Sequence, residues 1–434
     1  MTAEARPTLR ELTAASFKVG CLGFGGPAGQ IALMHRVFVN EKKWIDEDRY
    51  LHALSYCTLL PGPEAQQLAT YVGWLLHGVK GGVIAGSLFV LPGALIVFVL
   101  SWVYVTAGQQ PLVAAAFFGI KAAVVALVLE AMIKIGKRAL KGAGAWPIAI
   151  AAFLALLIWS APFPVVILAA AIIGVLLALR DRKPATAPVE SATESTPSAW
   201  RAIATAVAWG VAWLAPLGMS LLALGSDHVL TRIGQLFSTL AVVTFGGAYA
   251  TLAYLKQEAV EVHGWLTAGQ MIDGLGLAET TPGPLVLVNE FVGFVAGWQG
   301  GGGLALATLG ALMAAWCTFA PSFVWIFAGA PFAERLRSNR FANAALKGIT
   351  AAVLGVIANL ALWFALHVVF GTVDALHLPL GAELPLPVWP SFQIAAALMC
   401  VIATVALLRF KIGVVWLILA SAACGVALRI ARLA

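Results

Sequence analysis

Apolar residues run in long blocks along most of this chain, and the polar residues between them fall in short clusters rather than at every second position. The main blocks cover residues 83 to 106, 112 to 135, 145 to 160, 163 to 179, 203 to 224, 304 to 329, 341 to 368, 389 to 408 and 411 to 430. About 20 apolar residues suffice for a helix to cross a hydrocarbon core, so these blocks predict membrane-spanning helices. Ten-residue segments of strict alternation, the pattern of an outer-membrane barrel, are missing. Composition agrees: of 434 residues, 61% are hydrophobic and only 11% charged, against about 25% charged in an average soluble domain. The opening stretch "MTAEARPTLRELTAASFKVG" carries charges where a leader peptide would need its apolar core, so no cleaved leader is expected.

The net charge of +7 comes from Lys and Arg in short loops beside apolar blocks, which is how membrane orientation is encoded, and nucleic-acid binding is excluded on that pattern. Five cysteines (Cys21, Cys57, Cys317, Cys400, Cys424) show no metal-ligand spacing and read as small apolar fillers. No metal or cofactor is expected. HExxH, a phosphate loop ending in GK(S/T), and GxSxG are all missing, so the sequence offers no enzyme site.

One stretch, "RDRKPATAPVESATESTPSAW" at 180 to 200, is polar and rich in Pro, Ala, Ser and Thr, and reads as a cytoplasmic linker between two halves. The halves resemble each other. "LGFGG" ending at Gly26 returns as "VTFGG" ending at Gly247, an offset of 221 that also carries Trp44 to Trp265 and Pro61-Gly62-Pro63 to Pro282-Gly283-Pro284. Farther on the offset is 229, taking Pro92 to Pro321 and "GIKAAV" at 119 to 124 onto "GITAAV" at 348 to 353. An ordered series of this kind is a duplication. Residues 1–179 form the first repeat, 201–226 a connecting transmembrane helix, and 227–434 the second repeat. Basic residues follow "GIKAAV" (Lys134, Lys137, Arg138, Lys141) but precede "GITAAV" (Arg335, Arg337, Arg340). Since such residues mark cytoplasmic loops, the repeats are predicted to have inverted topology, as in many secondary transporters. The fold class expected is therefore an all-α polytopic integral membrane protein with two inverted repeats and Pro/Gly-broken helices.

Pro-Gly-Pro inside an apolar stretch interrupts a helix, and in lipid the break must face protein or a water-filled cavity. With Pro63 or Pro284 at the first position of a restarted helix, the amides of Glu64 to Gln66 and of Leu285 to Leu287 are left to receive an anion. "FGGPAGQ" at 24 to 30 and "FGGAYAT" at 245 to 251 repeat the device with glycines. The candidate substrate-binding residues are thus Gly25, Gly26, Pro27, Gln30, Pro61, Gly62, Pro63, Glu64 and Gln67 in the first repeat, and Gly246, Gly247, Thr280, Thr281, Pro282, Gly283 and Pro284 in the second. Lys121 joins them, lying nine residues, or about 13 Å, into its span, where a lysine needs an anionic partner. Glu64, Glu279 and Glu290 are candidates for proton coupling, ionisable groups at membrane depth being costly unless used. Glu130, four residues before Lys134, reads instead as half of an interfacial pair.

"FGGPAGQIALMHRVFVNEKKWID", "LLPGPEAQQLATYVGW" and "FGGAYATLAYLKQEAVEVHGWLTAGQMIDGLGLAETTPGPLVLVNEFVGF" together resemble the two halves of the long-chain chromate ion transporter family. The resemblance covers nearly the whole chain from about residue 8. It implies a bacterial or archaeal inner-membrane protein that exports chromate, with sulfate as a related anion, and carries over the FGG and PGP residues with Trp44, Trp265, Glu279, Thr280 and Thr281. The second half departs by having Ala248 for Pro27, Thr251 for Gln30 and Leu285 for Glu64. Efflux driven by membrane potential, with proton antiport as an addition, is the leading expectation. Transport of sulfate or another oxyanion and a passive anion channel are the alternatives, and a homodimer is left open.

Overall fold

A computed structural model of the chain describes residues 7–140, 144–180, 199–245, 247–332 and 339–432. Most of the linker and Gly246 lie outside them. The first repeat runs α1 (Leu9–Leu22), α2 (Gly26–His35), a π-helix (Arg36–Glu41), α3 (Glu47–Cys57), α4 (Glu64–Ala107), α5 (Pro111–Ala139), α6 (Ala145–Trp159) and α7 (Phe163–Arg180). After α8 (Ala199–Leu224), the second repeats the order with α9 (Val229–Val243), α10 (Ala248–Leu255), a π-helix (Lys256–Val262), α11 (Ala268–Thr280), α12 (Val288–Gly297), α13 (Gly303–Gly329), α14 (Arg340–Val369), α15 (Ile394–Leu408) and α16 (Val414–Ile430).

Backbone geometry follows the duplication. α4 is broken where Gly78 adopts φ 60, ψ −152, and Gly303, the first residue of α13 in the second repeat, adopts nearly the same angles, φ 59, ψ −151. Each π-helix closes the same way: Trp44 N–H donates to Phe38 O at 2.9 Å and Trp265 N–H to Ala259 O at 2.8 Å, both pairs related by 221 residues.

Among the described residues, six segments are long and apolar enough to span a membrane: Glu64–Ala107, Pro111–Lys137, Phe163–Arg180, Trp200–Leu224, Leu285–Gly329 and Arg340–Val369. Three blocks expected to span are shorter than the pattern suggested. α6 and α15 have 15 residues and α16 has 17, or roughly 22 to 26 Å of helix against a core of about 30 Å. Before α15 the chain is held as a 3-10 turn at Trp389–Ser391 by Pro390, which cannot continue a helix. The loop after α14 also departs from all-α. It forms a hairpin in which β1 (Val373–Leu378) pairs antiparallel with β2 (Ala382–Pro387), Val373 opposite Pro387, around Gly381 at φ 68.

The chain packs as two compact units, and each draws on both repeats. The first comprises Met1–Phe98, Val175–Gly247 and Thr281–Leu346. Leu12, Phe38, Leu68, Phe89, Phe237 and Phe291 are fully buried in it. Its helix pairs cross closely at glycines, where no Cβ fits: a methyl on Gly81 would lie 2.2 Å from Gly73 O, and one on Gly310 2.2 Å from Gly293 O. Such small-residue contacts drive helix association in lipid, where apolar burial gives no preference.

The second unit comprises Val99–Gly174, Ala248–Thr280 and Lys347–Ala434. Here α5 packs on α15 and α16 through Ala123, Ala126, Leu127, Ala403, Leu407, Leu417 and Ile418. α6, α7 and α14 meet through Ile148, Ala152, Val166, Ala170, Ala351 and Ala352.

Candidate functional site

Within the first unit the two breaks meet the FGG words crosswise. Gly283 N–H donates to Gly23 O at 3.0 Å, and Gly62 N–H donates to Thr244 O at 3.0 Å. The two bonds are the same bond under the repeat, since Gly23 and Thr244, like Gly62 and Gly283, are 221 residues apart. Each repeat's Pro-Gly-Pro therefore rests on the residue just before the other's Phe-Gly-Gly. Both glycines need a left-handed backbone, φ 101 at Gly62 and φ 95 at Gly283, which an L side chain takes up only at a cost of about 1–2 kcal/mol. The second break also lies against α4, where a Cβ on Gly93 would be 2.1 Å from Pro282 O.

Carbonyls freed by a broken helix must be satisfied inside the protein. Two glutamines do this, one for each break and both from the first repeat. Gln30 Nε2, with no exposed surface, donates to Gly283 O at 2.5 Å and to Gly23 O at 3.2 Å. Gln67 Nε2 donates to Pro61 O at 2.7 Å. Gln30 and Gln67 thus direct their donors at the breaks rather than into an open site. This accounts for the departures Thr251 and Val288 at the equivalent positions, since one glutamine per break suffices.

The other candidates in this unit stand as follows. α2 starts at Gly26 after Gly25 in left-handed conformation, with Pro27 in its first turn, and the space where Cβ atoms of Gly25 and Gly26 would point is open. α4 starts at Glu64, partly buried, with Pro63 as the residue before the helix rather than its first residue, since Gln67 N–H bonds Pro63 O at 3.0 Å. Pro284 differs more. It caps one 3-10 turn, Leu285–Leu287, before α12 begins. Thr281 is buried, Gly247 is half-buried at φ 97, and Gly246 is among the residues not described. Glu290 is 4% exposed and its Oε2 has no hydrogen-bond partner. Beside it Asn289 Nδ2 donates to Thr318 Oγ1 at 3.0 Å. Arg36, which the sequence reading passed over, lines a cleft with Leu22, Phe24, Gly29, Ala32 and Leu33 next to the first FGG. Its only sequence signal was its place about three turns after the FGG word.

The remaining candidates lie in the second unit. Lys121 has its anionic partner: Nζ is 3.5 Å from Asp273 Oδ2, and Tyr104 OH donates to the same oxygen at 2.9 Å. Asp273 was missed, although a lone carboxylate in the apolar run "MIDGLGLA" was a visible signal. Glu279, which is buried, accepts a hydrogen bond from the partly buried Tyr249 OH at 2.8 Å. Thr280 donates its hydroxyl back to Leu277 O at 2.7 Å. Glu130 and Lys134 form the expected i,i+4 pair at 2.7 Å.

The chain is thus a helical membrane protein made of two repeats, whose helices break at matched Gly/Pro words that pair across the repeat. The comparisons with known proteins make that specific. The profile of the chromate transporter family matches residues 10–175 and 231–426, one match per repeat, and the chain belongs to this family. It is 35% identical over 362 residues to the chromate transport protein of Pseudomonas aeruginosa, covering 82% of each chain. To that of Cupriavidus metallidurans it is 30% identical over 351 residues, 81% of each. An uncharacterised transporter of Bacillus subtilis is 36% identical over 136 residues, 31% of this chain but 68% of its own, so that relative is about as long as a single repeat. No solved structure matches the chain significantly.

Proposed function

We propose that this protein exports chromate, a tetrahedral dianion, across the bacterial or archaeal inner membrane by alternating access. The observation that supports the reading is the reciprocal bond pair Gly283 to Gly23 and Gly62 to Thr244, which ties each break to the other repeat's FGG word, close in sequence to the start of α4 at the first break and of α2 at the first FGG word. First-turn amides of a helix lack intrahelical acceptors and carry partial positive charge, so they suit an anion. Gly25, Gly26, Pro27 and Gly247 at the FGG words, Pro61, Gly62, Pro63 and Glu64 at the first break, and Thr280, Thr281, Pro282, Gly283 and Pro284 at the second form the cradle. Gln30 and Gln67 brace it, and Lys121 is the cation that meets the anion during the cycle. The chromate transport activity named for the Pseudomonas and Cupriavidus relatives supports the cargo.

Moving one charge through 100 mV is worth about 2.3 kcal/mol, so a dianion leaving a negative interior gains about 4.6 kcal/mol. At about 1.4 kcal/mol per decade that sustains a gradient of more than a thousandfold, and the membrane potential suffices as driving force. Proton antiport through Glu64, Glu279 or Glu290 would add an inward proton gradient to it. Sulfate, of the same shape and charge, competes at backbone amides that read shape alone. The test is radiolabelled chromate accumulation in inside-out vesicles under an imposed potential, with sulfate as competitor. Saturable, potential-driven uptake blocked by excess sulfate is expected. Absence of chromate flux through folded, inserted protein refutes the cargo, and a non-saturating leak refutes alternating access in favour of a channel.

A further inference from the structure

Three side chains in the second unit form a cluster, and of these the proposed function uses only Lys121, leaving Asp273 and Tyr104 without a role. Asp273 lies on α11, Lys121 on α5 and Tyr104 near the end of α4. Both contacts fall on one carboxylate oxygen: Lys121 Nζ is 3.5 Å from Oδ2 and Tyr104 OH 2.9 Å from it. The other oxygen, Oδ1, is buried and has no partner. The lysine is the more accessible member, its side chain 26% exposed against 8% for the aspartate. One turn before Asp273, Gly269 leaves room for the ammonium, since a Cβ there would lie 3.2 Å from Nζ. The Tyr104 ring is held edge-on against Phe117 at 5.1 Å. Among the described residues, Tyr104 and Lys121 are the titratable groups in contact with Asp273.

We propose that Asp273 is the proton-binding group of this transporter and that it takes up its proton together with the anion, because carboxylate and anion compete for Lys121. The inference rests on the reading that Lys121 meets the transported anion. While Asp273 is charged, Lys121 is neutralised by it, and a dianion brought to the ammonium also meets the carboxylate at short range in a poorly screened site. A proton on Asp273 removes that repulsion and leaves the lysine uncompensated. Oδ1 is where it can sit, since a proton there disturbs neither contact at Oδ2. Binding linkage is reciprocal, so a proton that favours the anion is itself favoured by the anion.

The pair occurs once per chain. At the repeat offsets Lys121 corresponds to Thr350 and Asp273 to His52, so the duplication supplies no second copy and one proton accompanies each anion. Dianion and proton together carry one negative charge, half the charge of the bare dianion. The sign is opposite to antiport, so this coupling is an alternative to proton antiport through Glu64, Glu279 or Glu290 and replaces it.

The test uses the full-length protein in lipid nanodiscs, with sulfate as the probe because it stays a dianion across the neutral pH range. Adding saturating sulfate to weakly buffered wild type should cause uptake of one proton per protein, and Asp273→Asn should abolish that uptake while retaining sulfate binding that no longer varies with pH. Proton release on sulfate binding, or uptake that persists in Asp273→Asn, overturns the proposal. Infrared spectroscopy without any anion judges the proton site separately from the transport reading. A protonated-carboxyl band should titrate in the wild type and be lost in Asp273→Asn; if no such band titrates, the assignment falls even where sulfate binds. If instead the band behaves as expected and neither sulfate nor chromate binds the wild type, the transport reading fails and its coupling to Asp273 falls with it. Should Asp273→Asn not fold, Tyr104→Phe serves. Losing a hydrogen bond to the charged carboxylate should move the band's midpoint upward by about one pH unit, and an unmoved midpoint overturns the proposal.

Discussion

Replacing Gln30 by Met keeps the length and approximate volume of the side chain and removes its two donors. Gln30 Nε2 bonds Gly283 O and Gly23 O. Gly23 O keeps a partner after the change, because Gly283 N–H still donates to it. The second break's carbonyl at Gly283 loses the one donor described for it. Two lost bonds at about 0.6 kcal/mol each, the average between membrane helices, plus about 1–3 kcal/mol for the stranded acceptor, give roughly 2–4 kcal/mol. Gln67→Met loses one bond, to Pro61 O; Pro61 is only half-buried, so water can replace the donor and the cost should be about 0.5–1.5 kcal/mol. The measurement is thermal unfolding in nanodiscs followed by tryptophan fluorescence, alongside chromate flux. Gln30→Met should melt several degrees below wild type and below Gln67→Met, with reduced flux. A Gln30→Met protein that melts and transports like wild type would show that the glutamine does not brace the break.

Three further outcomes follow from the same geometry. Gly62→Leu and Gly283→Leu each force an L side chain into a left-handed backbone at φ 101 and φ 95; both should insert in the membrane yet lose transport, and normal chromate flux by the two variants refutes the cradle. Gly93→Ala places a methyl 2.1 Å from Pro282 O and should displace the second break and depress flux, whereas Gly210→Ala on α8, where a Cβ meets nothing within 4 Å, should be neutral or stabilising by up to about 1 kcal/mol. Single cysteines at Gly108 and at Asn339 report the proposed inversion through accessibility to an impermeant thiol reagent in a background without native cysteines; labelling of both from the same side of the membrane contradicts it.

The membrane class, the duplication and the places where helices break were legible in the sequence because each is a local property. Apolar length sets a span, and Gly and Pro fix the backbone wherever they stand, so the repeated Pro-Gly-Pro word became a repeated dihedral angle at Gly62 and Gly283, whereas the like-angled glycines Gly78 and Gly303 were not singled out in the sequence. Local pattern overreached where it met the ends of helices: the apolar block at 389–408 gave a helix only from Ile394. Beyond the local i,i+4 pair of Glu130 and Lys134, partnership was not legible. Lys121 at mid-span announced the need for an anion, but 152 residues separate it from Asp273, and Gln30 braces a carbonyl 253 residues away. No periodicity encodes such pairs, because they arise only when helices far apart in sequence pack together. The residues of the chain by themselves determined what each segment could do, and the tertiary structure decided which of them meet: crossed breaks in one unit, and a lysine already held by an aspartate in the other.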